Sequence, residues 1–344
     1  MVLGASARHV ASGASVREMG PGDGARRVVV TGAGGFIGRA VIPMLVARGF
    51  AVRALVRDAP PVFDAAEVRV IGDLMEHNQA ALADMLRDTD AVVHLAARVH
   101  VPARADAQAA YRAMNVEVTQ RLARAAAACG IAHFVFASSI KVNGEVSPPC
   151  HPFRETDTPQ PQDAYARSKW EAETALAQVA AATGLRVTAL RLPLTYGPLA
   201  KANFAALVRA IRRGVPLPLA GIDNRRSLLG VGNLADALAA VLGDVDASAQ
   251  ARCVTYLLAD GAAVSTPDLA RAIGVAVGMP ARLFALSPRI LRVVAAALGR
   301  EDALARLTGS LEADSRAFGA RFHWSPPETL QQGLRAALEQ ASPL

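Results

Sequence analysis

The sequence predicts an α/β fold in which a parallel sheet carries helices on both faces and a smaller lobe follows toward the C-terminus. Three observations predict it. Short β-branched runs alternate with helical stretches through the first half of the chain, the pattern of repeated β-α-β units. A glycine-rich turn separates the first such run from the first helix. Past Tyr196-Gly197-Pro198 the alternation lapses into short helices, prolines and loops.

Taken in order, "RRVVV" reads as a first strand, "TGAGGFIG" as a turn and "RAVIPMLVARG" as a helix ending at Gly49. "FAVRALVR" and "EVRVIGDL" read as the second and third strands, "HNQAALADMLRD" as a helix and "DAVVHLAA" as the fourth strand. A helix over 107–129, a strand over 133–139, a long helix over 163–183 and a strand over 186–193 complete at least six strands. This is a Rossmann-type doubly wound sheet, expected over residues 26–196. Residues 197–344 are expected to form mostly the smaller, substrate-binding lobe, with segments around 226–260, such as "NLADALAAVL", returning to the first domain.

Composition narrows the function. No stretch approaches the 18 or so apolar residues of a membrane span, since "ILRVVAAALG" is short and interrupted by Arg292. The formal charge is +7, but the arginines are scattered without interleaved aromatics, which suits a phosphorylated small molecule better than nucleic acid. Of 37 basic residues only Lys141, Lys169 and Lys201 are lysine, so each lysine asks for a chemical reason. Cys129, Cys150 and Cys253 have no paired spacing and no histidine cluster nearby, so no metal site is expected and the thiols read as reduced and structural. Residues 1–25 lack the apolar core of a signal peptide and read as a disordered leader of a cytoplasmic protein.

Gly32, Gly35 and Gly38 stand at G-x-x-G-x-x-G spacing between strand and helix, with Phe36 and Ile37 opening that helix. Such a turn brings backbone N–H groups and the helix dipole to a pyrophosphate, which points to dinucleotide binding. The second strand ends Val56-Arg57 where an acid usually holds the adenosine ribose. Arg57, joined by Arg39, would instead accommodate a 2′-phosphate, favouring NADP(H) over NAD(H). In an Arg-rich chain the alternative is that both are ordinary exposed arginines. Asp73, followed by Leu74, lies where it would reach the adenine amino group.

Tyr165 and Lys169 are four apart on the predicted long helix and so share a face. A nearby ammonium favours phenolate, lowering a tyrosine's pKa toward the range useful for proton transfer.

This Tyr-x-x-x-Lys pair behind "TGAGGFIG" resembles the short-chain dehydrogenase/reductase family, specifically its extended branch of nucleotide-sugar epimerases, dehydratases and reductases, from about residue 27 to "FGARFHWSPPETLQQGLRAAL". The resemblance implies that Ser139 in "FASSIKVNG" hydrogen-bonds the reacting oxygen, with Ser138 supporting the backbone. The family's Ser-x-x-x-Tyr-Gly has Asn143-Gly144 here. It also implies that His94, Leu95, Ala96, Ala97, Leu192 and Pro193 lie beside the cofactor, that Asn115 orders the active-site backbone, that Asn203 binds the nucleotide half of the substrate, and that Arg226, helped by Lys201, holds its diphosphate. Capping by Asn203 and simple exposure of Arg226 are the alternatives.

Within that branch the chain looks most like a bacterial subgroup acting on UDP-linked, N-acetylated 6-deoxyhexoses for surface polysaccharide and lipopolysaccharide. That subgroup includes 4-keto reductases beside proteins called UDP-glucose 4-epimerase. The absent acid leans toward NADPH and net reduction, with 4-epimerisation on a tightly held NAD as the alternative. Ile140 and Lys141 stand where dehydratases commonly carry an Asp-Glu pair. A non-catalytic NADP-sensing protein of this fold is a third reading. A homodimer paired through two helices per subunit is an expectation carried by the resemblance alone.

Overall fold

The structure is a computed structural model that describes residues 25–58, 63–99, 107–200, 202–244, 252–297, 299 and 301–339. The chain alternates β1 (Arg27–Thr31), α1 (Phe36–Ala47), β2 (Ala51–Val56), β3 (Glu67–Val70), α2 (Gln79–Met85) and β4 (Ala91–His94). Then come α3 (Ala107–Arg112) and α4 (Thr119–Ala128), joined by a π-helical turn at Ala113–Val118, followed by β5 (His133–Ser139), α5 (Ala164–Thr183) and β6 (Arg186–Leu192). The remainder is β7 (Leu194–Tyr196), α6 (Ala202–Arg212), β8 (Leu228–Gly230), α7 (Val231–Gly243), β9 (Cys253–Leu257), α8 (Thr266–Ala276), α9 (Pro288–Ala297), α10 (Glu301–Thr308), α11 (Arg316–Phe322) and α12 (Leu330–Glu339).

Seven strands form one parallel sheet in the order β3-β2-β1-β4-β5-β6-β9. The order reverses between β1 and β4, so a crevice opens beyond their carboxyl ends, where ligands of such sheets bind. The central strands are apolar on both faces, as a sheet covered on both sides requires. Val28 and Val30 enter one buried cluster with Val41, Ile42 and Leu45 of α1 and Leu234, Leu238 and Val241 of α7. Val29 points the other way, into a cluster with Phe134, Phe136, Leu122 and Leu176. β7 and β8 pair separately, and a third cluster (Tyr196, Phe204, Ile211, Leu228, Ile273, Leu334) lies under α6, α8 and α12.

α5 runs over 20 residues because Asp163 caps its first turn by accepting from the Ala166 N–H at 2.6 Å, and Gly184, at φ 77°, ends it in the left-handed conformation. The expected single helix over 107–129 contains the π-helical turn, and the expected third strand stops at Val70 because Asp73 caps a 3-10 turn over Leu74–Glu76. Residues 1–24 of the leader expected over 1–25 lie outside the described residues.

Candidate active site

The turn between β1 and α1 is built on contact distances that exclude side chains. Gly32 sits at φ +69°, and a Cβ there would lie 2.6 Å from the Ala96 nitrogen, so the loop lies directly against the segment after β4. A Cβ on Gly38 would meet the Gly32 carbonyl oxygen at 2.5 Å, which sets the first turn of α1 against the loop. Gly35 caps α1 with no side chain to satisfy the leading N–H groups. Those donors and the positive end of the helix are what a pyrophosphate requires.

Beyond this turn opens a cleft of about 480 Å³. Gly32, Gly34, Gly35 and Arg39 form one wall, Val56, Arg57 and Asp58 the end of β2, Asp73 and Leu74 the far corner, and Leu95, Ala96 and Ala97 the floor after β4. The side-chain-free cradle fits the pyrophosphate of a dinucleotide. Arg39 donates to the Gly34 carbonyl at 3.0 Å, and Arg57 is exposed and pairs with Asp58 at 3.0 Å, the contact that raises its pKa. Asp73 spends one oxygen on the Met75 N–H at 2.9 Å. Phe36 and Ile37 are half-buried in the first turn of α1, while Leu192 and Pro193 are buried at the end of β6; none of the four lines this cleft.

Asn115 sits on the π-helical turn and bonds both the segment after β4 and α5. Its amide accepts from the Arg98 N–H at 2.8 Å, donates to the Arg98 carbonyl at 3.0 Å, and donates to Ser168 Oγ at 2.9 Å. Ser168 lies between Tyr165 and Lys169 on α5, so one side chain ties the segment after β4 to the helix carrying both. π-helical turns recur at functional sites.

Ser139 ends β5 with its hydroxyl beside the Tyr165 phenol. Tyr165, packed edge-on against Tyr111 at 6.0 Å, is enclosed by protein yet keeps part of its surface accessible. Lys169 is buried; its Nζ donates to the Ala137 carbonyl at 2.7 Å and stands 4.5 Å from the centre of the Phe136 ring. Burial dominates both groups: it pushes the phenol up to about 12 against the Ser139 hydrogen bond, and the ammonium down to about 7. The expected lowering of Tyr165 by Lys169 is therefore corrected. In this geometry Lys169 is directed to Ala137, and desolvation of the phenol outweighs the terms that lower it.

Other expectations fall unevenly. His94 lies at the end of β4, but its ring is sealed between Thr31 (2.7 Å) and Thr119 (3.0 Å), and burial pushes its pKa down to about 3, so it is a neutral packing group rather than a cofactor contact. Asn203 is exposed on α6. Arg226 is half-buried and donates to the Gly309 carbonyl at 2.8 Å. Lys201 lies outside the described residues. The thiols are free, but Cys129 and Cys150 are exposed and only Cys253 is partly buried, so a structural role fits Cys253 alone. No group of metal-ligating side chains occurs among the described residues. The sequence reading missed Gly34, adjacent to a glycine it used, Asp58, adjacent to Arg57, and Met114, adjacent to Asn115; all three line the cleft.

A glycine-turn cradle for a dinucleotide, in the same sheet whose β5 ends in Ser139 and whose neighbouring α5 carries Tyr165 and Lys169, fits an enzyme that works through a nicotinamide cofactor. Residues 28–257 match the NAD dependent epimerase/dehydratase family, and the chain belongs to it. Over 314 residues it is 34% identical to the UDP-glucose 4-epimerase of Vibrio cholerae, covering 90% of this chain and 94% of that one. Over 332 residues it is 28% identical to the GDP-6-deoxy-D-mannose reductase of Pseudomonas aeruginosa, covering 91% and 96%. The structure of MoeE5 in complex with UDP-glucuronic acid and NAD superposes with a TM-score of 0.72 at 29% identity, covering 91% of this chain and 98% of that one. The protein is an enzyme of the sugar-nucleotide epimerase and reductase class. Among the described residues no helix is long and apolar enough to cross a membrane.

Proposed function

We propose that this enzyme reduces the C4 ketone of a UDP-linked, N-acetylated 6-deoxyhexose with NADPH, in surface polysaccharide synthesis. The observation that carries the reading is that two cations, Arg57 at the end of β2 and Arg39 on the wall made by the glycine turn, line the cleft, near where a 2′-phosphate would sit. A nicotinamide cofactor, when bound, would supply the hydride for C4. Ser139 holds the carbonyl oxygen, and Tyr165 gives that oxygen its proton, so the ketone becomes an alcohol. A phenol that burial keeps protonated through neutral pH suits the donor role. Lys169, one turn from Tyr165 on the same face of α5, would offer its ammonium to the ribose of the nicotinamide. Asn203 and Arg226, with the C-terminal segment from about residue 197, hold the nucleotide diphosphate.

A second reading is a 4-epimerase with retained NAD. It is favoured by Asp58, a carboxylate one position past Arg57 in the same cleft, and by the 34% identity to the Vibrio cholerae protein. The two separate by stoichiometry. Incubated with NADPH and a UDP-4-keto-6-deoxyhexose, the enzyme is expected to oxidise one NADPH per sugar reduced. Interconversion of UDP-glucose and UDP-galactose with no net change in cofactor would overturn the reductase reading.

A further inference from the structure

Four buried side chains behind the proposed reacting groups form one closed network. Glu173 stands one helical turn beyond Lys169 on α5. Arg191 of β6 grips its carboxylate with two nitrogens, Nε to Oε1 at 3.1 Å and Nη2 to Oε2 at 2.7 Å. Ser138, the neighbour of Ser139, donates its hydroxyl to the same carboxylate. The remaining Arg191 nitrogen, Nη1, donates to Asn143 Oδ1 at 3.0 Å, and the Asn143 amide donates to the Arg154 carbonyl at 2.9 Å. All four are buried, at 2–8% exposure, so the hydrogen bonds among them are made away from water. The departure at Asn143 thus has a local reason, because a tyrosine there would place no amide oxygen on Arg191.

The network joins three segments: the end of β5 that presents Ser139, the turn of α5 that presents Lys169, and the end of β6 that leads into Leu192 and Pro193. We propose that Glu173, oriented by Arg191 and Ser138, is a positioning residue that locks these segments in register and supplies a negative charge that favours the protonated form of Lys169. This rests on the reading of Ser139, Tyr165 and Lys169 given above.

The surroundings of Lys169 support the electrostatic half. β4 presents His94, neutral in its buried site. β5 presents the Phe136 ring, the Ala137 carbonyl and the hydroxyl of Ser139. The π-helical turn contributes Asn115, which is neutral, and β6 contributes Arg191, whose charge offsets part of that of Glu173. On α5 itself stand Tyr165, a neutral phenol, and Glu173, whose charge works against the downward pull of burial on Lys169. A buried ion pair is weak as a stabilising device, since well-packed apolar groups often serve a fold equally well.

Because the chain has only three lysines, Lys169 can be titrated directly. Protein labelled with ¹³C at lysine Cε would be followed by NMR against pH, with resonances assigned through Lys141→Arg and Lys201→Arg. In Glu173→Gln the Lys169 midpoint is expected to fall by about one pH unit, the scale of a single nearby opposite charge, while Lys141 stays in place. Should that variant not fold, Glu173→Gln/Arg191→Gln leaves two amides to bond each other and is expected to move Lys169 in the same direction by less. A Lys169 midpoint unmoved in the folded variant would overturn the proposal, because a purely structural role predicts no change in that titration. The readout needs no turnover. Full activity in Tyr165→Phe would therefore remove the proposed reacting set while the Lys169 result stood on its own.

Discussion

Tyr165 and Arg57 carry the chemistry at the scale of single residues, and each makes a distinct prediction. Tyr165→Phe keeps the ring and loses only the proton, so turnover is expected to fall about 100- to 10,000-fold. Cofactor affinity, measured by fluorescence titration, should stay at the wild-type value; unchanged turnover would remove Tyr165 from the mechanism. Arg57→Ala is expected to weaken NADPH several-fold while leaving NADH nearly unaffected, because only the former offers a phosphate to an exposed guanidinium already leaning on Asp58. Equal losses for both cofactors would make Arg57 a general surface cation. The identities of these residues were readable from spacing and residue type, but their electrostatics were not. Burial pushes Lys169 down to about 7 and Tyr165 up to about 12, and burial is decided by Phe136, Ala137 and Tyr111, which lie far along the chain.

At the scale of elements, the glycine turn is the most exacting piece. Gly32→Ala would place a Cβ 2.6 Å from the Ala96 nitrogen in a backbone conformation that L side chains rarely adopt. It is expected to cost about 1–3 kcal/mol and to weaken cofactor binding, read as a lower Tm and a raised Kd. A wild-type Tm would mean that β1 and the segment after β4 are less tightly set than the contact implies. "TGAGGFIG" was legible because strand, turn and helix signals adjoin within a dozen residues. The π-helical turn at Ala113–Val118 was not, since its apolar spacing resembles that of the flanking helices and the deviation lies in hydrogen-bond register. The Ser138–Glu173–Arg191–Asn143 network was equally hidden, because it unites two strands, a helix and a loop through side chains up to 53 positions apart. "DAYARSKWEAE" contains Glu173, but nothing local to it says that Arg191 lies opposite.

For the whole molecule, two buried histidines set a pH limit on stability. His94 and His133 are both pushed down to about 3, chiefly by burial, and are therefore neutral in the folded protein. The unfolded chain takes up protons near pH 6.5, so stability is complete above that value and declines as pH falls from about 6.5 toward 3. At pH 5 the loss is about 2 kcal/mol per histidine, expected as a falling Tm in thermal melts between pH 8 and pH 5. A flat Tm over that range would contradict the neutral, desolvated state of these rings. The parallel sheet followed from alternation of strands and helices, but its strand order did not, and although residues 226–260 were expected to return to the first domain, Cys253–Leu257 was not read as a strand because it lies beyond the point where alternation lapses.

The central claim, that the cofactor site exchanges and prefers NADPH, is tested most directly by the nucleotide the purified enzyme holds. The protein would be denatured to identify any retained nucleotide, and native protein titrated with NADH and NADPH by fluorescence. An exchangeable site with tighter binding of NADPH is the predicted result, giving Arg57 and Arg39 their function. Retained NAD that neither exchanges nor yields to NADPH would contradict the reductase reading and make 4-epimerisation the activity.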